Sequence, residues 1–191
     1  MSLALEDDRR WKRLNGRLSP CSCCGTQFSG VFDIGFDHPD PWPHGHRGAT
    51  GKTTLEVGDD RLSADYCTLQ EHRFIRATLP LPIIGSDTTF CFGPWVMVSD
   101  ADFITYLQAE GGVGEFVSCE GLVINTLPGI AMDRVLPCDM RPSSDAQARP
   151  EVRVHPGPPL AQWQDDGITF NHLLDIYAAA GQDIRPHLGD A

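Results

Sequence analysis

Two cysteines near the N-terminus have the spacing of half a structural zinc site. Cys21 and Cys24 form a C-x-x-C pair, and Gly25 follows directly. A tight turn in such a pair directs two thiolates at one tetrahedral ion, and a glycine after the second cysteine suits that turn. The other ligands must come from elsewhere in the chain, and we favour Cys67 because it lies in a strand-like segment. The sequence therefore predicts a zinc site that includes Cys21, Cys24 and Cys67.

Two other interpretations of the cysteines stay open. The chain has seven cysteines, an odd number that does not fit a complete set of disulfides. In one interpretation Cys21, Cys23 and Cys24 are reduced surface thiols, and the other four are small buried hydrophobic side chains. In the other, Cys21 and Cys24 form a redox pair, which requires a low thiol pKa at one of them. Further candidates for the missing metal ligands are Cys91, Cys119, Cys138, His38, His44 and His46.

Histidines and carboxylates are also dense in the segment 37–46, which contains Asp37, His38, Asp40, His44 and His46. This combination could bind a transition metal. Prolines and glycines interrupt the same segment, and we favour a solvated polar loop there.

The charge of the chain limits its partners. It has 15 basic and 26 acidic residues, a net charge of −11, which opposes binding to nucleic acid or to anionic membranes. No segment reaches the roughly 20 apolar residues of a membrane span, and the charged N-terminus does not resemble a signal peptide. We therefore expect a cytoplasmic protein with reduced thiols, no nucleic-acid or membrane partner, and another protein as its partner.

Most of the elements that must position these groups are predicted to be β-strands. Residues 19–51 are rich in glycine and proline and predict irregular chain, and residues 139–150 predict a polar loop. Apolar and β-branched residues predict antiparallel strands with short connections between them. These strands are expected over 52–57, 61–69, 72–81, 88–98, 116–124 and 151–155.

Helices are predicted at three places. The first covers residues 3–14, and the second begins after Ser99 with Phe103, Ile104 and Leu107 as its buried stripe. The third has apolar residues at helical spacing, namely Phe170, Leu173, Leu174 and Tyr177. The predicted fold class is α+β, with a mainly antiparallel sheet, two or three helices and an N-terminal cysteine knuckle. We expect a helical extension over 1–18 and a single α+β domain over 19–191.

A series of short motifs resembles a known family. They are CxxCG from Cys21, SADYC at 63–67, RFIR at 73–76, FGPWVMVS at 92–99 and LPG at 127–129. Their order is similar to that in the uncharacterised bacterial family called domain of unknown function 2199, over about residues 21–178. The resemblance implies that Cys21, Cys24 and Cys67 belong to one recurring set, which favours a shared metal site. The chain departs from the family at Gln27 and Pro158, where the family has histidine.

No complete catalytic signature such as G-x-S-x-G or H-E-x-x-H occurs, so we expect a non-catalytic protein. The favoured function is a zinc-stabilised protein-binding module of an immunity or regulatory type. One alternative is a metal-dependent hydrolase whose ion is held by Cys21, Cys24 and Cys67, with Asp65 as acid or base. The other is a thiol-redox protein. No feature of the sequence predicts an oligomeric state.

The zinc hypothesis predicts the metal content of the purified, untagged protein. Wild type should contain one equivalent of zinc, and Cys24→Ala should lose it because the knuckle supplies two of the ligands. Elemental analysis of both proteins checks this. A folded wild type without metal would make the cysteines structural or redox residues.

Overall fold

The computed structural model describes residues 4–16, 25–47, 54–131, 135–145 and 148–189. This part of the chain has an α+β fold with a large antiparallel sheet, which confirms the predicted fold class. Cys21 and Cys24 lie outside the described residues, so the knuckle stays a prediction. None of the described helices is long and apolar enough to cross a membrane.

The described chain contains eleven strands and five α-helices. The strands are β1 (Ile34–Gly35), β2 (Leu55–Val57), β3 (Asp60–Leu62), β4 (Tyr66–Leu69), β5 (His72–Arg76), β6 (Leu79–Pro82), β7 (Thr89–Gly93), β8 (Trp95–Val98), β9 (Cys119–Val123), β10 (Leu136–Arg141) and β11 (Glu151–Val154). The helices are α1 (Arg9–Leu14), α2 (Asp100–Glu110), α3 (Pro159–Asp166), α4 (Phe170–Ala179) and α5 (Arg185–Leu188).

The strands form two sheets. The larger has eight strands in the order β11-β10-β9-β8-β5-β4-β3-β2, and all its neighbours are antiparallel. The smaller has the order β1-β7-β6, with β1 parallel to β7. Most neighbouring strands of the larger sheet are consecutive in sequence, which favours antiparallel pairing; the exception is β5 beside β8, between which the chain forms β6 and β7 of the smaller sheet.

Two of the predicted strands are each divided between the two sheets. The prediction over 72–81 splits into β5 and β6, and the prediction over 88–98 splits at Pro94 into β7 and β8. Proline has no N–H to donate, so Pro94 interrupts the ladder. The Pro94 carbonyl accepts a hydrogen bond from the Ala77 N–H at 2.9 Å. Ala77 lies between β5 and β6, where the strand predicted over 72–81 is divided.

A tight turn divides the strand predicted over 61–69. The Ser63 hydroxyl accepts a hydrogen bond from the Tyr66 N–H at 2.9 Å and donates one to the Tyr66 carbonyl at 3.0 Å. Such a serine bond replaces ladder bonds with a turn. The segment therefore forms the hairpin of β3 and β4 rather than one strand.

The hydrophobic core lies on both faces of the larger sheet. Phe74 and Ile75 are adjacent in β5, so their side chains point to opposite faces. Ile75 belongs to the main core, which α4 and the smaller sheet complete. Phe74 belongs to a second cluster, whose buried members are Trp42, Leu62, Cys67, Leu69, Phe74 and Trp95.

The helices differ from the prediction in number and bounds. In the predicted helix 3–14 only Arg9–Leu14 is α-helical, because the Asp8 carboxylate caps the Arg10 N–H at 2.8 Å and starts the helix there. Helices α3 and α5 were not predicted. Helix α3 begins at Pro159, which is tolerated as a first helical residue. Part of the predicted loop 139–150 is strand, since β10 extends to Arg141.

Gln164 of α3 covers the edge of the larger sheet. Its side-chain oxygen accepts a hydrogen bond from the Val154 N–H at 2.9 Å, and its amide donates to the Val152 carbonyl at 2.8 Å. Gln164 is buried and bonds to β11 as a neighbouring strand would. An edge protected in this way is less available for pairing with another chain.

Asn125 attaches the irregular segment 36–46 to the sheet. Its side-chain oxygen accepts a hydrogen bond from the Trp95 N–H at 2.8 Å. Its amide donates to the His38 carbonyl at 3.0 Å and to Asp40 Oδ1 at 2.7 Å. Asn125 is only 1% exposed and its bond to the Trp95 N–H is buried, so water does not compete for that bond.

Replacing Asn125 by alanine should destabilise the fold by about 2–4 kcal/mol, because the buried Trp95 N–H loses its acceptor and the His38 carbonyl and Asp40 carboxylate lose their donor. Thr126→Val is the matched control. It removes only the exposed bond from the Thr126 hydroxyl to Asp40 Oδ2 and should cost less than about 1 kcal/mol. Urea unfolding of the two variants measures the difference. Equal effects would show that Asn125 does not anchor the segment.

Candidate functional site

The structure places Cys67 in an apolar environment. It is fully buried and lies opposite Phe74 in the ladder of β4 and β5. Burial, with a smaller contribution from Asp60, raises the pKa of the Cys67 thiol to about 12. Among the described residues, no group of three or more histidine, cysteine, aspartate or glutamate side chains is placed to hold a metal ion. A zinc site at Cys21, Cys24 and Cys67 thus stays a prediction.

The other described cysteines are also poor nucleophiles. Burial raises the pKa of Cys91 to about 11 and that of Cys119 and Cys138 to about 12. These thiols are protonated at neutral pH, and the thiolate is the reactive form. The redox interpretation therefore depends on Cys21 and Cys24, which lie outside the described residues.

The polar segment 37–46 is held by hydrogen bonds within the fold. His44 Nε2 lies 2.7 Å from Asp60 Oδ2, and His46 Nδ1 lies 3.3 Å from Asp37 Oδ2. The pKa of Asp60 is lowered first by the backbone N–H of Gln70 and then by His44. These contacts fasten the segment to β3 and the β4–β5 turn.

A cleft of about 620 Å³ beside α3 contains a histidine–carboxylate pair. His155 Nε2 lies 3.0 Å from Asp139 Oδ1, and Arg141 donates to Asp139 Oδ2 at 3.0 Å. The bond to His155 holds the pKa of Asp139 below its ordinary value. The residues that line this cleft include no serine, threonine or cysteine, so the pair has no nucleophile to activate there.

A larger cleft, of about 770 Å³, lies between α2, the start of β4 and the segment before β11. Polar and aromatic side chains meet in it from these three parts of the chain. The lining residues are Asp65, Tyr66, Thr78, Tyr106, Ala109, Glu110, Gly112, Ala148 and Arg149. We refer to it as the α2 cleft.

Local backbone contacts fix the floor of the α2 cleft. The Ser63 turn sets Asp65 at the start of β4, and the Asp65 carbonyl accepts a hydrogen bond from the Arg76 N–H at 2.8 Å. The Asp65 carboxylate binds Arg149 Nε at 2.7 Å. The carbonyl of the next residue, Pro150, accepts from the Thr78 N–H at 2.9 Å. Arg149 is thus held in place on both sides.

Aromatic rings form one wall of the α2 cleft. Tyr106 packs edge to face on Tyr66 at 6.1 Å between centroids and on Phe116 at 5.1 Å. Tyr66 also packs edge to face on Phe103 at 6.3 Å. These contacts join the inner side of α2 to β4.

The α2 cleft has a negative local field. Burial, with smaller contributions from the charges of Glu110 and Asp65, raises the pKa of Tyr66 to about 12. Burial and Glu110 also raise the pKa of Tyr106. Arg149 pairs with Asp65 at 2.7 Å, whereas the bond that Glu110 receives from the Tyr66 hydroxyl is long, at 3.5 Å. Of the two acidic groups in the cleft, Glu110 is therefore the less compensated.

The outer side of α2 differs from the prediction. Ile104 and Leu107 were predicted to be buried with Phe103, but they are 54% and 37% exposed. The buried residues of the helix are Phe103 and Tyr106. Tyr106 replaces the two aliphatic residues because its ring completes the aromatic contacts with Tyr66 and Phe116. This exchange leaves apolar surface open to solvent.

The described thiols should react slowly in the folded protein. At pH 8 we expect Cys67, Cys119 and Cys138 to be alkylated about 100-fold more slowly than in urea, since their raised pKa values and burial reduce the accessible thiolate. Timed iodoacetamide labelling with peptide mass spectrometry measures each site separately. Fast labelling of Cys67 in the native protein would contradict its buried position.

Comparison with known proteins gives a family but no activity. Residues 20–168 match the family described as uncharacterized protein conserved in bacteria, DUF2199. No curated protein and no solved structure matches the chain. The matched residues include β1 to β11, α2 and the whole lining of the α2 cleft, while α1 and α4 lie outside them. The chain therefore belongs to the DUF2199 family of bacterial proteins.

Proposed function

We propose that the protein is a non-catalytic protein-binding module of an immunity or regulatory type, whose partner binds the outer side of α2. The observation that carries this proposal is the concentration of exposed apolar residues there. Seven large hydrophobic side chains are exposed in the described chain, and four of them fall within residues 104–117. They are Ile104, Leu107, Val113 and Val117. A concentration of exposed apolar residues is typical of an interaction site.

Ile104 and Leu107 are neighbours on the helix surface because they are three residues apart. Val113 follows the helix and is 65% exposed, and its N–H donates to the Gln108 carbonyl at 2.7 Å. This bond folds the segment after α2 back towards the end of the helix. Two further clefts, of about 390 Å³ and 280 Å³, border α2 and would receive side chains of the partner.

The charges around α2 favour a basic partner. Residues 99–120 contain five acidic residues and neither lysine nor arginine. Arg73 pairs with Asp100 at 3.0 Å, and the other four acids lie in the same segment as the exposed apolar residues. A net charge of −11 also opposes association of two copies of this chain through the same surface. Complementary charge would guide a basic protein to α2.

The α2 cleft would hold one basic side chain of this partner. Glu110 supplies an incompletely compensated carboxylate, and the rings of Tyr66 and Tyr106 supply aromatic surface next to it. Aromatic rings and a carboxylate together attract lysine and arginine side chains. The zinc site predicted at Cys21, Cys24 and Cys67 belongs to the proposal as a stabilising element of the same domain.

Affinity purification from a bacterial lysate tests the role of α2. Wild type should retain a basic protein in a fixed ratio, and Ile104→Lys should retain at least about 10-fold less, because the lysine disrupts the apolar contact and repels a basic partner. The retained complex should weaken as the salt concentration rises. Binding kinetics with the recovered partner then give the dissociation constant for each variant.

Ile84→Lys is the matched control. Ile84 is 52% exposed, close to Ile104, but lies between β6 and β7. The Ile84→Lys variant should retain the partner as wild type does. Thermal unfolding should show that both variants are folded. Equal retention by Ile104→Lys and wild type, or recovery of no stoichiometric partner, would refute the proposal. A concentration-dependent dimer in ultracentrifugation, lost in Ile104→Lys, would identify a second copy as the occupant instead.

A further inference from the structure

Arg76 lies at the end of β5 with a guanidinium group that is incompletely bonded. Its Nε is buried and has no hydrogen-bond partner among the residues that the structure describes. A buried donor without an acceptor destabilises a fold by about 1–3 kcal/mol, so such groups usually have a partner. The Arg76 backbone N–H, by contrast, donates to the Asp65 carbonyl at 2.8 Å.

The space around the Arg76 guanidinium exists because two neighbouring residues are glycines. A Cβ on Gly35 would lie 2.5 Å from Arg76 Nη2, so the guanidinium would have to move to admit a side chain there. Gly93 pairs with Gly35 in the smaller sheet, and a Cβ there would lie 3.9 Å from Nε. The guanidinium therefore lies against the backbone of β1, close to where β7 ends.

The charges near Arg76 leave a positive excess. Burial is the main reason that the pKa of Arg76 is lowered. The positive charges of Arg149 and Arg47 lower this pKa further, whereas the negative charges of Asp65 and Asp37 raise it. The Asp65 carboxylate is already bound by Arg149 at 2.7 Å, and Asp37 lies 3.3 Å from His46. Arg149 thus adds a second positive charge near Arg76, and both carboxylates that attract Arg76 are also in contact with another residue, in a chain whose net charge is −11.

We propose that Arg76, whose guanidinium lies against Gly35 at the end of β5, anchors a binding site for a small oxyanion, a phosphate or carboxylate group. The planar guanidinium donates parallel hydrogen bonds that match two oxygens of either group. An oxyanion would supply the acceptor that Arg76 lacks and would offset the repulsion from Arg149. This site lies beyond the proposed protein-binding function, since the side chains of Arg76 and Tyr66 are on opposite faces of the larger sheet.

Isothermal titration calorimetry with inorganic phosphate and with acetate, at constant ionic strength, tests the site. Wild type should bind at least one of the two anions at a single site. Arg76→Met should weaken that binding at least about 10-fold because the guanidinium is lost. Arg61→Met is the control, because Arg61 is exposed and pairs with Glu56 across the β2–β3 hairpin. This variant should bind the anion as wild type does.

Gly35→Ala provides a second test that keeps the arginine. Its methyl group would displace the Arg76 guanidinium and should also weaken binding about 10-fold, whereas Gly93→Ala should have a smaller effect because its Cβ makes only ordinary contacts. The relative affinity for phosphate and acetate distinguishes the two ligand sources. Absence of binding to wild type, or equal binding to Arg76→Met, would overturn the proposal. If Arg76→Met does not fold, equal binding to Gly35→Ala and Gly93→Ala overturns it.

Discussion

The fold depends on one place where two strands change sheet side by side. β5 continues into β6 through Ala77, and β7 continues into β8 through Pro94. The hydrogen bond from the Ala77 N–H to the Pro94 carbonyl joins the two crossings at 2.9 Å. At a crossing the ladder is interrupted, so backbone groups there need other partners. The Thr78 N–H and carbonyl find theirs in Pro150 and Val152, which brings the last strand region to the same place.

This crossing explains why charged side chains collect around it. Inside a ladder, side chains are directed to the two faces and are mostly buried in apolar clusters. At the ends of β4 and β5 the sheet stops, and Asp65, Arg76 and Arg149 reach partly exposed positions. The backbone contacts that hold the crossing also hold these residues. A rigid part of the fold therefore positions the polar groups of both candidate sites.

The local signals in the sequence predicted the elements that they control directly. Ser99 caps α2 with a bond to the Asp102 N–H at 3.1 Å, and the periodic residues of α4 are buried as their spacing indicates. Contacts between distant residues were not predictable in this way. Asn125 binds Asp40 across 85 positions, and Gly35 makes room for Arg76 only because β1 pairs with β7. Apolar residues recur at helical spacing on two sides of α2, so their spacing alone does not show which side is buried. The contacts of Tyr106 with Tyr66 and Phe116 decide it.

One ion pair separates two regions of opposite charge. Residues 77–133, which include α2, contain neither lysine nor arginine, while Arg76 lies just before this segment. Tyr66 is paired with Ile75 in the ladder, so these two side chains lie on the same face of the sheet. Arg76 follows Ile75 in β5, so its side chain points to the opposite face. Arg149 bonds to Asp65 between them, so the Asp65 charge is partly offset in the α2 cleft and compensates Arg76 only in part. The negative surface at α2 and the positive site at Arg76 can therefore lie close together and still attract ligands of opposite charge.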